Sequence, residues 1–275
     1  MADQDIITST LKPLEEGTLL LGFGGWLNDG EISQGTVNYL IDTLGAVPAG
    51  RINADDLYII SHSENRQSFI SPTCSVEKGI ISEFSFAENM FYHIPGSSLV
   101  FLLGMEPNMK WDTYAGAIFS FCRQKNIRRI LFIGSLRGYA PHTREPKIHF
   151  LASDPAMRDE LLDMGIEAID YIGQASIVSY LTHLASLEKI PMAALFEEIP
   201  AYLEGYNPRG VETAVKLAGR LLDTEIDMSV IQEICSSYDK RIEELIKDQP
   251  ELEEKIRELE REYDEDAFER EFISE

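Results

Sequence analysis

Short apolar runs alternate along this chain with longer stretches whose apolar positions recur at helical spacing. Thr18–Phe23, Ser98–Gly104 and Ile130–Gly134 are apolar at nearly every position. That is the pattern of strands buried on both faces, as in a parallel sheet covered by helices. Glu31–Leu44 places Ile32, Val37, Leu40, Ile41 and Leu44 roughly on one face, with Gly45 as its C-cap. Trp111–Lys125 carries a stripe of Trp111, Ala115, Ile118, Phe119 and Cys122. Further strands are predicted over Leu57–Ile60, Asn89–Ile94, Lys147–Ala152 and Met192–Ile199, and a helix over Ile177–Leu187. Residues 1–17 read as a polar lead-in, and the stretch before Asn89 as short strands or a hairpin. Asp154-Pro155 and Asn207-Pro208 each pair an N-cap residue with proline at the first helical position. They open helices reaching to about Gly165 and to Leu222. The order strand, helix, strand from Ser98 to Gly134 predicts a βαβ unit, right-handed by default.

The tail has a different period. Ile231, Cys235, Tyr238, Ile242, Leu245, Gln249, Leu252, Ile256, Leu259 and Tyr263 alternate in spacing by four and three, a heptad seam with one polar position. Pro250 interrupts it, because proline inside a helix removes a hydrogen bond and clashes with the preceding turn. Two helices are therefore expected, roughly 228–248 and 251–268, with Pro250 opening the second. The predicted organisation is an α/β body over 1–223 and an acidic helical extension over 224–275.

Charge sharpens that division. The chain carries a net −23, and from Asp223 to Glu275 there are 20 acidic and 7 basic residues. With 44% hydrophobic residues in 275, a full core is affordable. The negative balance, without a Lys/Arg cluster, excludes nucleic acid and anionic membranes as expected partners. Three widely spaced cysteines, Cys74, Cys122 and Cys235, with an acidic N-terminus and no apolar run of spanning length, predict a cytoplasmic protein.

Candidate chemistry gathers beyond the predicted strand ends. The turn Gly22-Phe23-Gly24-Gly25-Trp26 could cradle an anion on backbone N–H groups, or simply let the chain turn tightly. It matches neither the dinucleotide fingerprint nor a P-loop. Asp29 reads as the N-cap of the following helix. Glu106 is either a base or an acid near a helix N-terminus. His142 and Arg144, two apart in a loop, could bind an anion or move a proton; alternatively Arg144 pairs with an acid and His142 bonds to backbone. Gly134-Ser135 has its serine one place early for a nucleophile elbow. The histidines form no zinc-type pair, so no metal or cofactor is expected.

Taken in order, Gly22-Phe23-Gly24-Gly25-Trp26 with Asp29-Gly30 and Tyr39-Leu40, then Gly104-x-Glu106-Pro107-x-x-x-Trp111, Pro141-His142-Thr143-Arg144, Pro200-x-Tyr202-Leu203 with Asn207-Pro208, and Leu259-Glu260-x-x-Tyr263-Asp264 form one pattern. It resembles the proteasome assembly chaperone 2 family, in particular its bacterial, actinobacterial-type branch. Related bacterial proteins tend to have proline after the arginine, where this chain has Glu145. The resemblance implies a three-layer α/β/α sandwich similar to the phosphorylase/hydrolase-like fold, with a C-terminal helical extension. It also implies a homo-oligomeric, non-enzymatic assembly or chaperone-like role with a protein client. Relatives with a proteasome-docking tail end in a hydrophobic-tyrosine-x motif, which Phe272-Ile273-Ser274-Glu275 does not match. The alternative is a phosphorylase-like enzyme, or a binder of a small anionic or nucleoside-like ligand, using Gly22, Gly24, Gly25, Asp29, Glu106, His142 and Arg144 in one strand-end cleft.

Overall fold

The computed structural model describes residues 6–53, 55–59 and 72–273. Among these, nine strands form one sheet in the spatial order β1 (Ile7–Ser9), β3 (Val47–Ile52), β6 (Asn89–His93), β7 (Leu99–Met105), β2 (Gly17–Gly24), β8 (Ile127–Gly138), β11 (Met192–Pro200), β9 (Ile148–Ala152) and β10 (Glu167–Ala168). The centre, β7-β2-β8-β11, is parallel; β6 and β9 run antiparallel to their central neighbours. Two further strands, β4 (Thr73–Glu77) and β5 (Ile80–Ser85), form a separate hairpin.

The apolar central strands follow from helices on both faces. Leu19, Leu21 and Phe23 of β2 share a core with α2 (Trp111–Lys125) and α4 (Ile177–Glu188). Leu20 points the other way, into a core with α1 (Ile32–Leu44), α3 (Pro155–Asp163) and α5 (Pro208–Leu222). β8 repeats the alternation, with Ile130 and Phe132 on the first face and Leu131 and Ile133 on the second. Each such side chain contributes about 1.5–3 kcal/mol on burial. The result is the expected three-layer α/β/α sandwich.

The two N-cap and proline pairs read from the sequence form as written. Asp154 accepts from Ala156 N and Met157 N, and Asn207 accepts from Gly210 N. The tail consists of α6 (Ser229–Lys247) and α7 (Pro250–Ile273), broken where Pro250 requires. Their seam is shared between two surfaces. Ile231 and Cys235 enter the core beside α1 and α5, whereas Ile242 and Ile256 are buried further out and Leu245 is exposed. Tyr39 of α1 pins the start of α6, its hydroxyl donating to Asp227 O at 2.7 Å. No helix among the described residues is long and apolar enough to cross a membrane.

Two expectations need correction. The lead-in contains β1, an edge strand paired with β3. Gly50 permits that pairing: a Cβ there would lie 2.4 Å from Thr8 O. The strand expected at Leu57–Ile60 is absent over its described part. Asp55–Leu57 is a short 3-10 turn, and Leu57 O accepts from Asn108 N and Met109 N at 3.0 and 3.1 Å, bracing the loop after β7; Ile60 lies outside the described residues. The strand–helix–strand unit expected from Ser98 to Gly134 is present as β7, α2 and β8, its two strands parallel within one sheet. Both pair in parallel with β2, which lies between them.

Candidate functional site

The loop after β2 is built on close approach. A Cβ on Gly24 would sit 2.4 Å from Met105 Sδ, and one on Gly25 2.7 Å from Glu106 Cδ. Gly25 also adopts φ +141°, which other residues rarely take. These two glycines lay the loop directly against the end of β7. There Glu106 N donates to Gly24 O at 2.8 Å, and Leu27 N donates to Glu106 Oε1 at 3.2 Å. Burial raises the Glu106 carboxyl above its ordinary range, opposed in part by the Leu27 and Trp26 N–H groups. The backbone donors of the glycine turn are thus aimed at this chain's own carboxylate. Gly22 lies inside the strand, where a Cβ would meet Val37 of α1 at 2.6 Å; it is a packing glycine.

Asp29 does not cap α1. The residue before that helix is Glu31, in a left-handed conformation and without a side-chain cap. Asn28 does the nearer equivalent, its Oδ1 accepting from Gln34 N at 3.0 Å. Asp29 instead pairs with Arg137 Nε at 3.0 Å, and its carbonyl accepts from the buried Ser135 hydroxyl at 2.5 Å. Gly30, at φ +64°, brings this turn against Asn207, whose N donates to Gly30 O at 2.9 Å.

His142 and Arg144 belong to a second cluster, in the loop between β8 and β9. The Tyr202 hydroxyl lies 2.7 Å from His142 Nδ1 and accepts from His142 N at 2.9 Å. Burial lowers the His142 pKa despite nearby Glu260, and burial pushes Tyr202 up to about 12. Arg144 makes a bidentate pair with Asp264 of α7, Nε and Nη2 each at 2.8 Å, with Glu260 at 3.6 Å. Thr143 also bonds to Glu260, and Tyr263 donates to Glu145 O at 2.5 Å. The helix of the extension therefore lies across this loop. The structure brings Gly24, Gly25 and Glu106 together, with Asp29 in the adjoining turn, and places His142 and Arg144 against α7.

Two groups escaped the sequence. Asn89, fully buried, accepts from Tyr114 OH at 2.8 Å and donates to Tyr58 OH at 2.6 Å beneath the glycine loop. An asparagine opening a strand carried no signal. Glu197 is the other. It lies 3% exposed in β11, and its position inside an apolar strand was a readable anomaly.

The chain is thus an α/β/α protein with a mixed sheet between helical layers, and its strand-end motifs interlock with one another and with a C-terminal helix. The chain belongs to the PAC2 family, whose family model matches residues 22–246. No curated protein matches it by sequence. Among solved structures it is similar to a PAC2 family protein from Streptomyces avermitilis, with 22% identity, 83% of this chain and 95% of that chain covered, and a TM-score of 0.72. It is also similar to a Mycobacterium tuberculosis proteasome-assembly chaperone homologue, with 23% identity, 87% and 99% covered, and a TM-score of 0.75. A Mycobacterium tuberculosis protein of unknown function superposes with a TM-score of 0.84 at 17% identity, over 98% and 92% of the two chains.

Proposed function

We propose that this protein is a non-enzymatic, chaperone-like assembly factor of the cytoplasm that acts as a homo-oligomer on a protein client. The observation that carries the reading is the β4–β5 hairpin. Every residue of both strands is exposed, and Val76, Ile80, Ile81 and Phe84 present apolar side chains outward, with Phe86 packed edge-on to Phe84. A two-stranded hairpin alone is marginal in water, and an apolar arm of this kind marks a protein contact. A second copy of the chain is the occupant we favour. Support comes from the family motifs, which bond to one another: Glu106 to Leu27, Asn207 to Gly30, His142 to Tyr202. The relative described as a proteasome-assembly chaperone homologue points the same way.

Light scattering across the micromolar range tests it. The expected result is a discrete oligomer that Ile80→Glu combined with Phe84→Ser reduces to monomers of unchanged circular dichroism. A strict monomer throughout would overturn the oligomeric reading.

A further inference from the structure

A cavity of about 680 Å³ opens at the carboxyl end of β11, walled by the 140–146 loop, the first turns of α5 and the middle of α6. That volume suits a small organic molecule. Two buried carboxyls line it, and their surroundings differ sharply. Glu212, 5% exposed, has a cation on each oxygen: Arg209 Nη1 at 2.7 Å and Lys216 Nζ at 2.9 Å. Glu197, 3% exposed, has an oxygen with no hydrogen-bond partner among the described residues.

The cations of the wall are engaged elsewhere. Arg209 holds Glu212 and Asp239, Lys216 holds Glu212, and Arg144 holds Asp264. Carboxylates are in excess: Glu145 on the loop, Glu198 on β11 and Glu243 on α6 also face the cavity. Among the described residues no group of three or more His, Cys, Asp or Glu is placed to hold a metal ion. A compact organic cation is a partner that the wall itself does not supply to Glu197.

We propose that this cavity binds the primary ammonium group of a small organic amine, with Glu197 as its counter-ion at the floor. The inference does not rest on the oligomeric reading above, and either can fail without the other. Burial, with Glu145 adding repulsion, raises the Glu197 carboxyl well above its ordinary range. Burial therefore favours the protonated carboxyl while no cation is beside it. An ammonium ion brings its own positive charge, so Glu197 releases its proton to solvent and the bound pair is neutral. Binding is coupled to proton release. The other titratable groups facing the site are His142, Arg144 and Glu145 from the loop, Glu198 from β11, Arg209, Glu212 and Lys216 from α5, and Tyr238, Asp239 and Glu243 from α6; Arg144, Arg209 and Lys216 are already in ion pairs.

The test is isothermal titration of the full chain with putrescine at neutral pH, in two buffers of different ionisation enthalpy and equal ionic strength. The expected result is saturable binding at roughly millimolar concentration or below, with a buffer-dependent heat that reports proton release. Glu197→Gln should weaken binding about tenfold or more and remove the buffer dependence, while Glu233→Gln on the outer surface of α6 changes neither. The buffer dependence of the natural sequence needs no variant to fold. Absence of saturable binding overturns the proposal. So does equal binding by Glu197→Gln, which is the signature of the acidic surface alone, or saturation by inorganic phosphate in place of the amine.

Discussion

Leu27 donates its backbone N–H to the Glu106 carboxylate at 3.2 Å, across 79 positions of sequence. This bond joins the end of β2 to the end of β7 and puts an internal acid where a phosphate would sit on a cradle of backbone donors. Glu106→Ala leaves those donors without their acceptor, a loss of about 1–3 kcal/mol for a largely desolvated group. Glu106→Gln keeps one oxygen and should cost less. Urea denaturation of the two variants measures the order; equal midpoints for Ala, Gln and the natural residue would show that the carboxylate does not hold the loop.

Beneath that loop, Gly104 and Asn89 are matched in shape. A Cβ on Gly104 would stand 2.1 Å from Asn89 Oδ1, the atom that accepts from Tyr114 OH and Met105 N. Gly104→Ala should therefore destabilise by about 1–3 kcal/mol through overpacking. Asn89→Ala removes the obstructing atom but orphans the buried Tyr114 hydroxyl. In the double variant the Gly104 penalty should shrink, and a double-mutant cycle measures the coupling; strictly additive losses would mean the two sites do not meet.

The central strands were legible because burial on two faces leaves few polar positions, and the helix starts because Asp154-Pro155 and Asn207-Pro208 are local signals that need no tertiary context. β3 was not legible: Pro48 and Gly50 break its apolar pattern, and both serve packing against β1 and β6. Asp29 was misread for a related reason. Its partner, Arg137, is 108 positions away, and only the β2–β8 pairing makes an ion pair more favourable than a cap. The strand-end residues were found as a set. Their division into a Glu106 cluster and an α7-covered cluster depends on which strands adjoin, which no local pattern records.

Arg144 and Asp264 fix α7 onto the 140–146 loop by a planar, bidentate pair. Lysine at 144 keeps the charge but cannot form the fork, so Arg144→Lys should already loosen the helix. Hydrogen exchange in α7 is the measurement: faster exchange is expected in Arg144→Ala and Asp264→Ala, and in high salt, where exposed pairs are screened. The exchanged pair Arg144→Asp with Asp264→Arg should restore much of the protection. Unchanged exchange in all variants would mean that Ile256 and Tyr263 dock the helix unaided.

Glu197 and His142 make the stability of the fold depend on pH in opposite senses. The Glu197 carboxyl titrates above its ordinary range, so the folded chain keeps a proton that the unfolded chain has released. Stability from this residue is complete at acid pH and is lost as pH rises toward the folded pKa. His142 titrates below its ordinary 6.5, because burial disfavours the imidazolium. There the unfolded chain takes up the proton first, and stability is lost as pH falls below about 6.5. Glu197→Gln removes only the first dependence. Its urea midpoint should meet that of the natural chain only below the ordinary carboxyl range, at about pH 4, and exceed it above neutrality by about 1–3 kcal/mol, because the glutamine has no proton to keep against solution as pH rises. His142→Gln should flatten only the acid limb. Curves that stay parallel from acid to alkaline pH would show that Glu197 is ionised in the fold, and the amine would then bind without releasing a proton.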